Sequence, residues 1–453
     1  MRLISILALF LLFGCGALPR LSDLQGNQHL ERAQVVDKDG SMMLQHRQPI
    51  DQAIEAMKGE SFEARHAKIL EVVNGSQATP GNHSRILIDG PQTWQAIFDA
   101  ITNARDHIHI ESFIFEELEF GRRLSDLLLE RRKAGVSVRI IYDSVGSITT
   151  PKAFFQKLSS NGIVLCEFNP INPLAGKLLK VNHRDHRKIV IVDGEVAFTG
   201  GINFHSVYRT GSAMFFRTKM PTIEEGWRDT HVELRGDSVH RLQQLFLDSW
   251  KKQECLEQPV RNHFPTLQNN GPHAVAIVGS SPDGMLSRMY LLLTAGITYS
   301  TKSVWLTTAY FAPDPSTINA LTAAAKRGVE VRLLLPGFTD SFLVFHAGRS
   351  HYEELLKAGV KIYEQREVLL HAKTVVIDGV WSSIGSSNFD WRSFCHNDEV
   401  NALFVGKNFG DQMGRVFEDD LAQAHQVTLE EWQARGTAIR FREWISRRFD
   451  YLL

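Results

Sequence analysis

Short apolar stretches alternate with longer stretches of helical periodicity along most of this chain. Apolar runs at 108–115 and 304–311 predict two matching buried strands. The first is preceded by residues on one helical face, namely Trp94, Ile97, Phe98 and Ile101. Strands that alternate with helices favour right-handed crossovers and a largely parallel sheet. The predicted fold class is α/β.

The order of the predicted elements repeats once. A short strand begins each half, at 85–90 and at 274–279, and a helix ending in glycine runs into an apolar strand at 134–142 and again at 327–335. We therefore expect two duplicated α/β/α halves, each with a mixed, largely parallel sheet. A pseudo-twofold axis would relate them, with one active site at their interface.

Polar and proline-rich stretches separate the expected regions of the chain. These regions are an export or lipoprotein signal peptide (1–16), a polar segment and linker (17–84), the first half (85–255), a connector (256–272), the second half (273–435) and a basic amphipathic segment (436–453).

The first residues differ in character from the rest. The apolar run 3–13 is too short to cross a bilayer of ~30 Å as a helix, but it suits the core of a signal peptide. Leu12-Phe13-Gly14-Cys15 resembles a bacterial lipobox, in which Cys15 would be lipidated, although Phe13 is bulkier than that motif normally takes. A cleaved or uncleaved export signal is the alternative. We expect a membrane-associated protein, exported in a bacterium and facing the periplasm.

Composition and charge exclude some classes of function. The 453 residues are 43% hydrophobic and carry a formal net charge of −1, so nothing indicates a nucleic-acid partner. The four cysteines lack CxxC spacing, which suggests neither a disulfide framework nor a zinc cage. Cys166 lies in an apolar run and is expected to be a buried thiol.

Two copies of one polar element carry the chemistry. Each reads His-x-Lys-x4-Asp and continues at the same offsets to a glycine and an asparagine. The copies are His186, Lys188, Asp193, Gly200 and Asn203, and His371, Lys373, Asp378, Gly385 and Asn388. One bare copy arises by accident in about one chain of this length in twenty, whereas two matched copies with the suffix are very rare by chance.

The residue types in this pair suit displacement at phosphorus. His and Lys two positions apart on a strand share a face, so two copies place two imidazoles and two ammonium groups around one cavity. One imidazole attacks phosphorus, the other transfers protons to and from the alcohol, and the lysines neutralise the phosphate oxygens. The asparagines Asn203 and Asn388 are expected to donate further hydrogen bonds to the phosphate. Neither a metal nor a cofactor is required.

A nucleophilic imidazole needs an acceptor on its other nitrogen. Asp229 and Glu399, which follow the two elements, are the candidates. We group Asp193 and Asp378 with the catalytic motif, although capping of the turn after the strand is the role expected for them.

Other polar residues around the first element have open interpretations. His183 lies three positions before His186, on the opposite face of a strand, and is interpreted as an outer-layer or surface residue. A basic cluster is either a solvated rim or a site for an anionic headgroup, and it consists of Lys177, Lys180, Arg184 and Arg187. The C-terminal segment 436–453 is either an interfacial membrane anchor or an ordinary helix packed on the domain.

The paired elements resemble those of the phospholipase D superfamily, and the chain from about 85 to 432 is most similar to bacterial cardiolipin synthase. The resemblance also includes segments 182–194, 198–203, 227–231, 309–314, 370–374 and 384–394. It implies a phosphatidyl transfer: a phosphatidyl-histidine forms from phosphatidylglycerol and passes to a second phosphatidylglycerol, giving cardiolipin and glycerol. By analogy His186 is the nucleophile and His371 the acid and base, although the pseudo-symmetry permits the reverse.

Two other functions use the same elements. A phospholipase D-type hydrolase would pass the intermediate to water and release phosphatidic acid. A secreted phosphodiesterase or nuclease would bring a basic groove with stacking aromatic residues, which the neutral charge does not indicate. The expected partner is therefore a phospholipid membrane, with phosphatidylglycerol as donor and acceptor; phosphatidylethanolamine, another alcohol or water remain open as acceptors.

Overall fold

The structure, a computed structural model, describes residue 57 and residues 59–171, 182–210, 226–256, 261–282 and 287–452. The predicted signal peptide with Cys15 lies outside the described residues, as do Lys177 and Lys180 of the basic cluster.

The first half is built around a seven-stranded sheet. Its strand order is β2-β9-β8-β7-β3-β4-β5. The strands are β2 (His83–Ile88), β3 (His107–Ser112), β4 (Ser137–Asp143), β5 (Val164–Phe168), β7 (Lys188–Val192), β8 (Val196–Gly200) and β9 (Thr230–Arg235), with β1 (Thr79–Gly81) and β6 (Arg184–Asp185) outside this sheet. The helices after the N-terminal α1 (Phe62–Asn74) are α2 (Asp89–Thr102), α3 (Glu119–Lys133), α4 (Lys152–Ser160) and α5 (Asp237–Lys252).

The second half repeats this arrangement in a larger sheet. The strand order is β1-β10-β18-β16-β15-β11-β13-β14-β19, with β6 added beside β18. The strands are β10 (Gly271–Ser280), β11 (Ser303–Thr307), β12 (Phe311–Ala312), β13 (Glu330–Pro336), β14 (Lys361–Gln365), β15 (Thr374–Ile377), β16 (Trp381–Gly385), β17 (Phe389–Asp390), β18 (Asn397–Val405) and β19 (His425–Val427). The helices are α6 (Arg288–Tyr299), α7 (Pro315–Lys326), α8 (Phe342–Arg349), α9 (Tyr352–Lys357), α10 (Trp391–Cys395), α11 (Lys407–Leu421), α12 (Leu429–Ala434) and α13 (Thr437–Ser446).

The α/β class, the duplication and the mixed sheets agree with the sequence, but the parallel part is smaller than predicted. In the first sheet only β3-β4 and β4-β5 are parallel among six neighbouring pairs, and the strand carrying the His-Lys element runs antiparallel to β3. After the βαβ units the chain returns through the hairpins β7-β8 and β15-β16. Tight turns at Asp193-Gly194 and Asp378-Gly379, all four at positive φ, allow these antiparallel connections.

The two sheets pack face to face over a shared apolar core. Ile189 and Ile191 from β7 lie in the same cluster as Val376 of β15 and Val400 of β18. Because this cluster draws on both halves, their interface is a continuous core rather than a wet contact between two domains.

Part of the predicted polar segment 17–84 belongs to the second half. Helix α1 buries Ile69, Leu70 and Val73 in the core of that half, and Ser61 caps its N-terminus by accepting a hydrogen bond from the Ala64 N–H. Strand β1 then pairs with β10. The chain thus crosses from the second half to the first at 81–83, which the weak patterning of this region does not reveal.

The prediction for Cys166 was wrong. Cys166 on β5 forms a disulfide with Cys255, just after α5, and the sequence separation of the pair is 89 residues. Sequence spacing carries no signal for such a pair, because the two cysteines meet only after α5 packs across the sheet. Cys395 is a free thiol.

None of the helices within the described part of the chain is long and apolar enough to cross a bilayer.

Candidate active site

Each paired histidine is held by the backbone of the opposite half. Strand β6 pairs in parallel with Asn397 and Asp398 at the start of β18, and the His186 N–H donates to the Asp398 carbonyl at 2.9 Å. The mirror-related contact joins Arg228 to Leu370, and the His371 N–H donates to the Arg228 carbonyl at 2.7 Å. The two halves therefore exchange short backbone segments at the centre of the interface.

Side chains of the two halves also contact each other across the interface. Nδ1 of His186 lies 3.1 Å from each carboxylate oxygen of Glu399, a residue of the second half. Nδ1 of His371 lies 2.7 Å from Oδ2 of Asp229, a residue of the first half. Both carboxylates predicted to orient an imidazole contact one, and in each case the imidazole belongs to the other half.

The carboxylates are themselves fixed. Glu399 accepts hydrogen bonds from the Asn397 amide at 3.2 Å and from the Ser386 hydroxyl, and Asp229 accepts one from the Thr230 N–H at 2.7 Å. A Cβ at Gly201 would overlap the Asp229 carboxylate, which explains a glycine at this point of the first element. Because both acceptors are buried and held, each imidazole is restricted in its orientation.

The two lysines lie beside their histidines in the same buried space. Nζ of Lys188 donates to the His186 carbonyl at 2.6 Å and lies 5.4 Å from the centre of the Phe113 ring. Nζ of Lys373 donates to the His371 carbonyl and lies 3.0 Å from His371 Nδ1. Burial lowers the pKa of Lys188 to about 7 and that of Lys373 to about 8.

The protonation of the site follows from burial and crowding of positive charge. Burial lowers the pKa of His186 to about 4, although the Glu399 carboxylate opposes this shift. Burial and the ammonium groups of Lys373 and Lys188 hold the pKa of His371 well below its usual value. Burial also raises the pKa of Asp229 to about 6. The two ammonium groups thus lie close together in a buried space, where an anionic phosphodiester would offset their mutual repulsion.

The two asparagines of the paired elements, Asn203 and Asn388, are both buried. Asn203 accepts a hydrogen bond from the Ile114 N–H at 3.3 Å, which fixes its carbonyl oxygen and leaves its amide group to donate. The backbone N–H of Asn388 donates to Ser393 at 3.1 Å, and its side-chain oxygen has no partner among the described residues.

Asp193 and Asp378, grouped with the catalytic motif, occupy the capping position expected for them. Each accepts backbone hydrogen bonds at the start of the central strand: Asp193 from the N–H groups of 105–107 at 2.8–2.9 Å, and Asp378 from those of 301–303 at 2.7–3.1 Å. These turns lie at the far end of β7 and β15 from the histidines. Both aspartates therefore anchor the sheet, which matches the capping role.

Neither interpretation of the basic cluster holds for its described members. Arg184 and Arg187 are buried, at 1% and 5% exposure, and face inward. Arg184 lies 3.6 Å from Asp143, while Arg187 contacts Glu111 at 3.4 Å and Asp398 at 4.0 Å. These ion pairs hold the exchanged β6 segment in place.

His183, interpreted as an outer-layer or surface residue, contacts a residue of the second half. Its Nε2 lies 3.0 Å from Oδ1 of Asp398, the residue whose carbonyl accepts from the His186 N–H.

Aromatic residues that no sequence motif indicates complete the site. The Tyr208 hydroxyl lies 2.9 Å from His371 Nδ1, and the Trp227 ring lies 5.0 Å from that imidazole between centres. The Phe113 ring meets His186 edge-on at 5.1 Å. Tyr208 stands five positions after Asn203 without a counterpart in the second element, so no pattern marks it.

Comparison with known proteins agrees with this architecture. Residues 97–209 and 293–421 match the family model described as "Cardiolipin synthase, PLD-like domain". A cardiolipin synthase of Geobacillus kaustophilus is 34% identical over 420 residues, covering 92% of this chain and 82% of that one. Cardiolipin synthase 2 of Bacillus anthracis is 37% identical over 355 residues, covering 78% and 67% of the two chains.

A solved structure shows the same fold at low identity. The phosphatidylserine synthase of Haemophilus influenzae superposes with a TM-score of 0.61 at 12% identity, covering 81% of this chain and 95% of that one. Each segment that matches the family model contains one of the paired histidines, and the relatives align over most of the sequence. The chain therefore belongs to the cardiolipin synthase family of phospholipase D-like enzymes.

Proposed function

We propose that this enzyme transfers a phosphatidyl group from one phosphatidylglycerol to a second, forming cardiolipin and releasing glycerol. The relatives named cardiolipin synthase support the overall reaction. The observation that carries the mechanism is the crossed arrangement of two buried imidazoles, each with its Nδ1 on a carboxylate of the other half.

In the first step, Nε2 of His186 attacks phosphorus and forms a P–N bond. The P–O bond to the departing glycerol breaks, and His371 donates its Nε2 proton to that oxygen. A neutral His186 is needed for attack; its lowered pKa supports this form, and the Glu399 acceptor keeps the remaining ring proton on Nδ1. The bound phosphate anion favours the protonated form of His371 in the complex.

In the second step, the now neutral His371 removes the proton from a glycerol hydroxyl of the second phosphatidylglycerol. The oxygen attacks phosphorus, the P–N bond breaks, and His186 leaves as the neutral imidazole. Lys188 and Lys373 neutralise the non-bridging oxygens in both steps, and Asn203 and Asn388 donate to the same phosphate.

The experiment is to trap the intermediate on purified full-length enzyme. His371→Asn is mixed with a phosphatidyl ester of p-nitrophenol, a leaving group that needs no acid. Nitrophenol should appear in a burst of about one per chain, and peptide mass spectrometry should place a phosphatidyl group on His186. The wild type with phosphatidylglycerol vesicles should give cardiolipin and glycerol.

His425→Gln is the matched control, because this histidine is 42% exposed and pairs only with Glu431 among the described residues; it should behave as wild type. A phosphatidyl group on His371 in a His186→Asn variant would reverse the two roles. Phosphatidic acid as the sole product would make water the acceptor. Cleavage of DNA without turnover of phospholipid would reject both lipid reactions.

A lipid surface is the proposed partner, and helix α13 supports it. Glu443 and Ser446 of this helix are buried, whereas Phe441 and Trp444 are 60% and 55% exposed. Glu443 pairs inward with Arg435 at 2.9 Å. The helix thus turns its polar side toward the domain and its aromatic side outward, the reverse of a helix packed by its apolar face.

A short series of contacts connects this helix to the active site. Helix α13 packs on α8, whose first residue Phe342 is 57% exposed. Two residues earlier, Asp340 accepts a hydrogen bond from Tyr310 at 2.8 Å, and the Tyr310 ring lies 6.3 Å from that of His371. We propose that Phe342, Phe441 and Trp444 enter the lipid interface beside the site.

Replacing Phe441 and Trp444 by serine tests this contact. Binding to phosphatidylglycerol vesicles in a sedimentation assay should fall about tenfold, while hydrolysis of a soluble short-chain phosphodiester should not change. Unchanged sedimentation would remove the patch from the proposal.

We also propose that the enzyme is exported, with Cys15 as the candidate lipid anchor. The disulfide between Cys166 and Cys255 supports an oxidising compartment, because such bonds are reduced in most cytosols. Mass spectrometry of the mature N-terminus from membranes would test the lipid on Cys15.

A further inference from the structure

Three histidines meet inside the first half, away from the paired elements. His107 and His109 alternate with Ile108 and Ile110 on β3, so they share the face toward α5. His263, from the connector, closes the group, and the three ring centres lie 4.7–4.9 Å apart. All three side chains are buried, with exposures of 0%, 0% and 6%.

We propose that His107, His109 and His263 bind one divalent transition-metal ion, with Zn²⁺ the best match, and that this ion fixes the connector to the first half. Each imidazole offers one nitrogen, and these atoms lie within 4.8 Å of one another. Ligands of a tetrahedral zinc stand ~3.3 Å apart, so the group must contract slightly. His263 stands on a segment without regular structure, which can follow the ion inward.

The hydrogen bonds around His107 orient it as a ligand. Its Nδ1 lies 2.7 Å from Oδ2 of Asp106, so a neutral ring carries its lone pair on Nε2, beside the Gln243 amide. A carboxylate behind a histidine is the usual outer contact of a zinc ligand. The Gln243 amide contacts both strand histidines: its oxygen lies 3.1 Å from His107 Nε2, and its nitrogen lies 2.9 Å from His109 Nδ1.

Two ring nitrogens in the group lack a hydrogen-bond partner in the described part of the chain. Nε2 of His109 and Nδ1 of His263 are buried without a hydrogen-bond partner among the described residues. Buried polar atoms in proteins are almost always satisfied.

The charges facing the cluster set the expected strength of binding. The Asp106 carboxylate favours a cation in the cluster. The positive charges of Arg139 and Arg261 oppose it, because both arginines lie close enough to interact electrostatically with His263. With three neutral ligands and no carboxylate bound directly, binding should be weaker than at sites with thiolate ligands and should favour ions that prefer imidazole.

The second half shows that the fold does not need histidines here. The strand registers pair Ile108 with Val192 and Val304 with Ile377, which places Trp305 where the first half has His109. His109 stacks on Phe246 of α5 at 4.4 Å, and Trp305 stacks on Phe417 of α11 at 5.4 Å. An apolar filling therefore suffices for packing, so the three histidines require a separate reason.

The ion would hold the connector where it crosses the first half. A Cβ at Gly194 would overlap the His263 carbonyl and Pro265, so the connector passes directly over the Asp193-Gly194 turn. The disulfide at Cys255 holds the chain eight residues earlier. Disulfide and metal together would fix both ends of the short segment that leads to the second half.

Metal content of the full-length enzyme tests the proposal. The chain is produced in zinc-supplemented medium with a tag free of histidine and purified in detergent. Plasma mass spectrometry should find about one zinc per chain in the wild type and below ~0.1 in His263→Gln and His109→Gln. Cobalt in place of zinc should give the visible absorption of a tetrahedral site.

His240→Gln is the matched control, because His240 lies on α5 against Phe264 of the connector but outside the cluster; it should retain about one zinc. Asp106→Asn should lower the zinc affinity ~10–100-fold in a protein with unchanged circular dichroism. Wild type free of zinc, cobalt and nickel after incubation with each ion, or zinc retained in His263→Gln, would overturn the proposal. The readout is metal content, so it is independent of the lipid reaction.

Discussion

The two halves share the strands around their histidines but differ on one face of the central strand. On β3 this face, which packs against α5, carries His107, His109 and Glu111, while the matching positions of β11 are Ser303, Trp305 and Thr307. At the paired histidines both halves present the same residue types, as one shared site requires. Away from the histidines this face has only to be filled, so a polar cluster serves in one half and an aromatic stack in the other.

The histidines also differ in their immediate contacts. His371 Nδ1 has the Tyr208 hydroxyl at 2.9 Å and Lys373 Nζ at 3.0 Å in addition to Asp229. For His186 Nδ1, the described residues place only the Glu399 oxygens within hydrogen-bond distance. The pseudo-symmetric site therefore has unequal environments, which is what separate nucleophile and acid roles need.

The largest effect should come from breaking the crossed contacts. Glu399→Gln and Asp229→Asn should each lower kcat by ~10³–10⁴-fold, because the imidazole loses its charged acceptor and its preferred tautomer. In ¹⁵N spectra of labelled histidine, Glu399→Gln should change the His186 resonances and leave those of His371 unchanged.

Asp229→Asn should do the opposite in the same spectra. A change confined to the histidine of the same half would refute the exchange, and a loss of activity below tenfold would refute the role of the carboxylates.

The pH dependence of kcat/KM should report the charge of the two lysines. Their pKa values are lowered to about 7 and about 8, so each loses its proton, and its charge, as the pH rises through that range. The value of kcat/KM should therefore fall above pH 7–8. The limb in kcat should lie higher, because bound phosphate stabilises the ammonium form.

Lys188→Arg tests this assignment. The guanidinium keeps its charge, so the alkaline limb should move upward even though the fit to phosphate costs about tenfold in kcat. A limb that stays in place would assign the titration to another group.

The smallest effect on catalysis should come from the disulfide, which the second half lacks among its described residues. Reduction, or the double variant Cys166→Ser with Cys255→Ser, should lower the free energy of unfolding by ~2–4 kcal/mol in urea melts. Activity at 25 °C should change little, because the bond joins β5 to the end of α5 and not the histidine strands. Cys395→Ser, the matched control, should unfold as wild type; equal melts for all three would contradict the prediction.

Much of the fold was predictable because local patterns encode it. The apolar runs, the glycines after helices and the repeat at 185 residues all follow from short stretches of chain, and they led to the α/β class and the duplication. The proportion of parallel strands was overestimated because β8 returns antiparallel to β7 through the turn at Asp193-Gly194, which the strand pattern does not encode.

The residues of the paired elements can be read from the chain alone, since the spacing of His, Lys, Gly and Asn is visible without any structure. Packing of the sheets was needed to show that Glu399 contacts His186 and Asp229 contacts His371, and that Arg184 and Arg187 point inward. It was also needed to find the disulfide and the three-histidine cluster. A contact between residues 89 to 213 positions apart depends on how the sheets pack, and local periodicity does not encode such a contact.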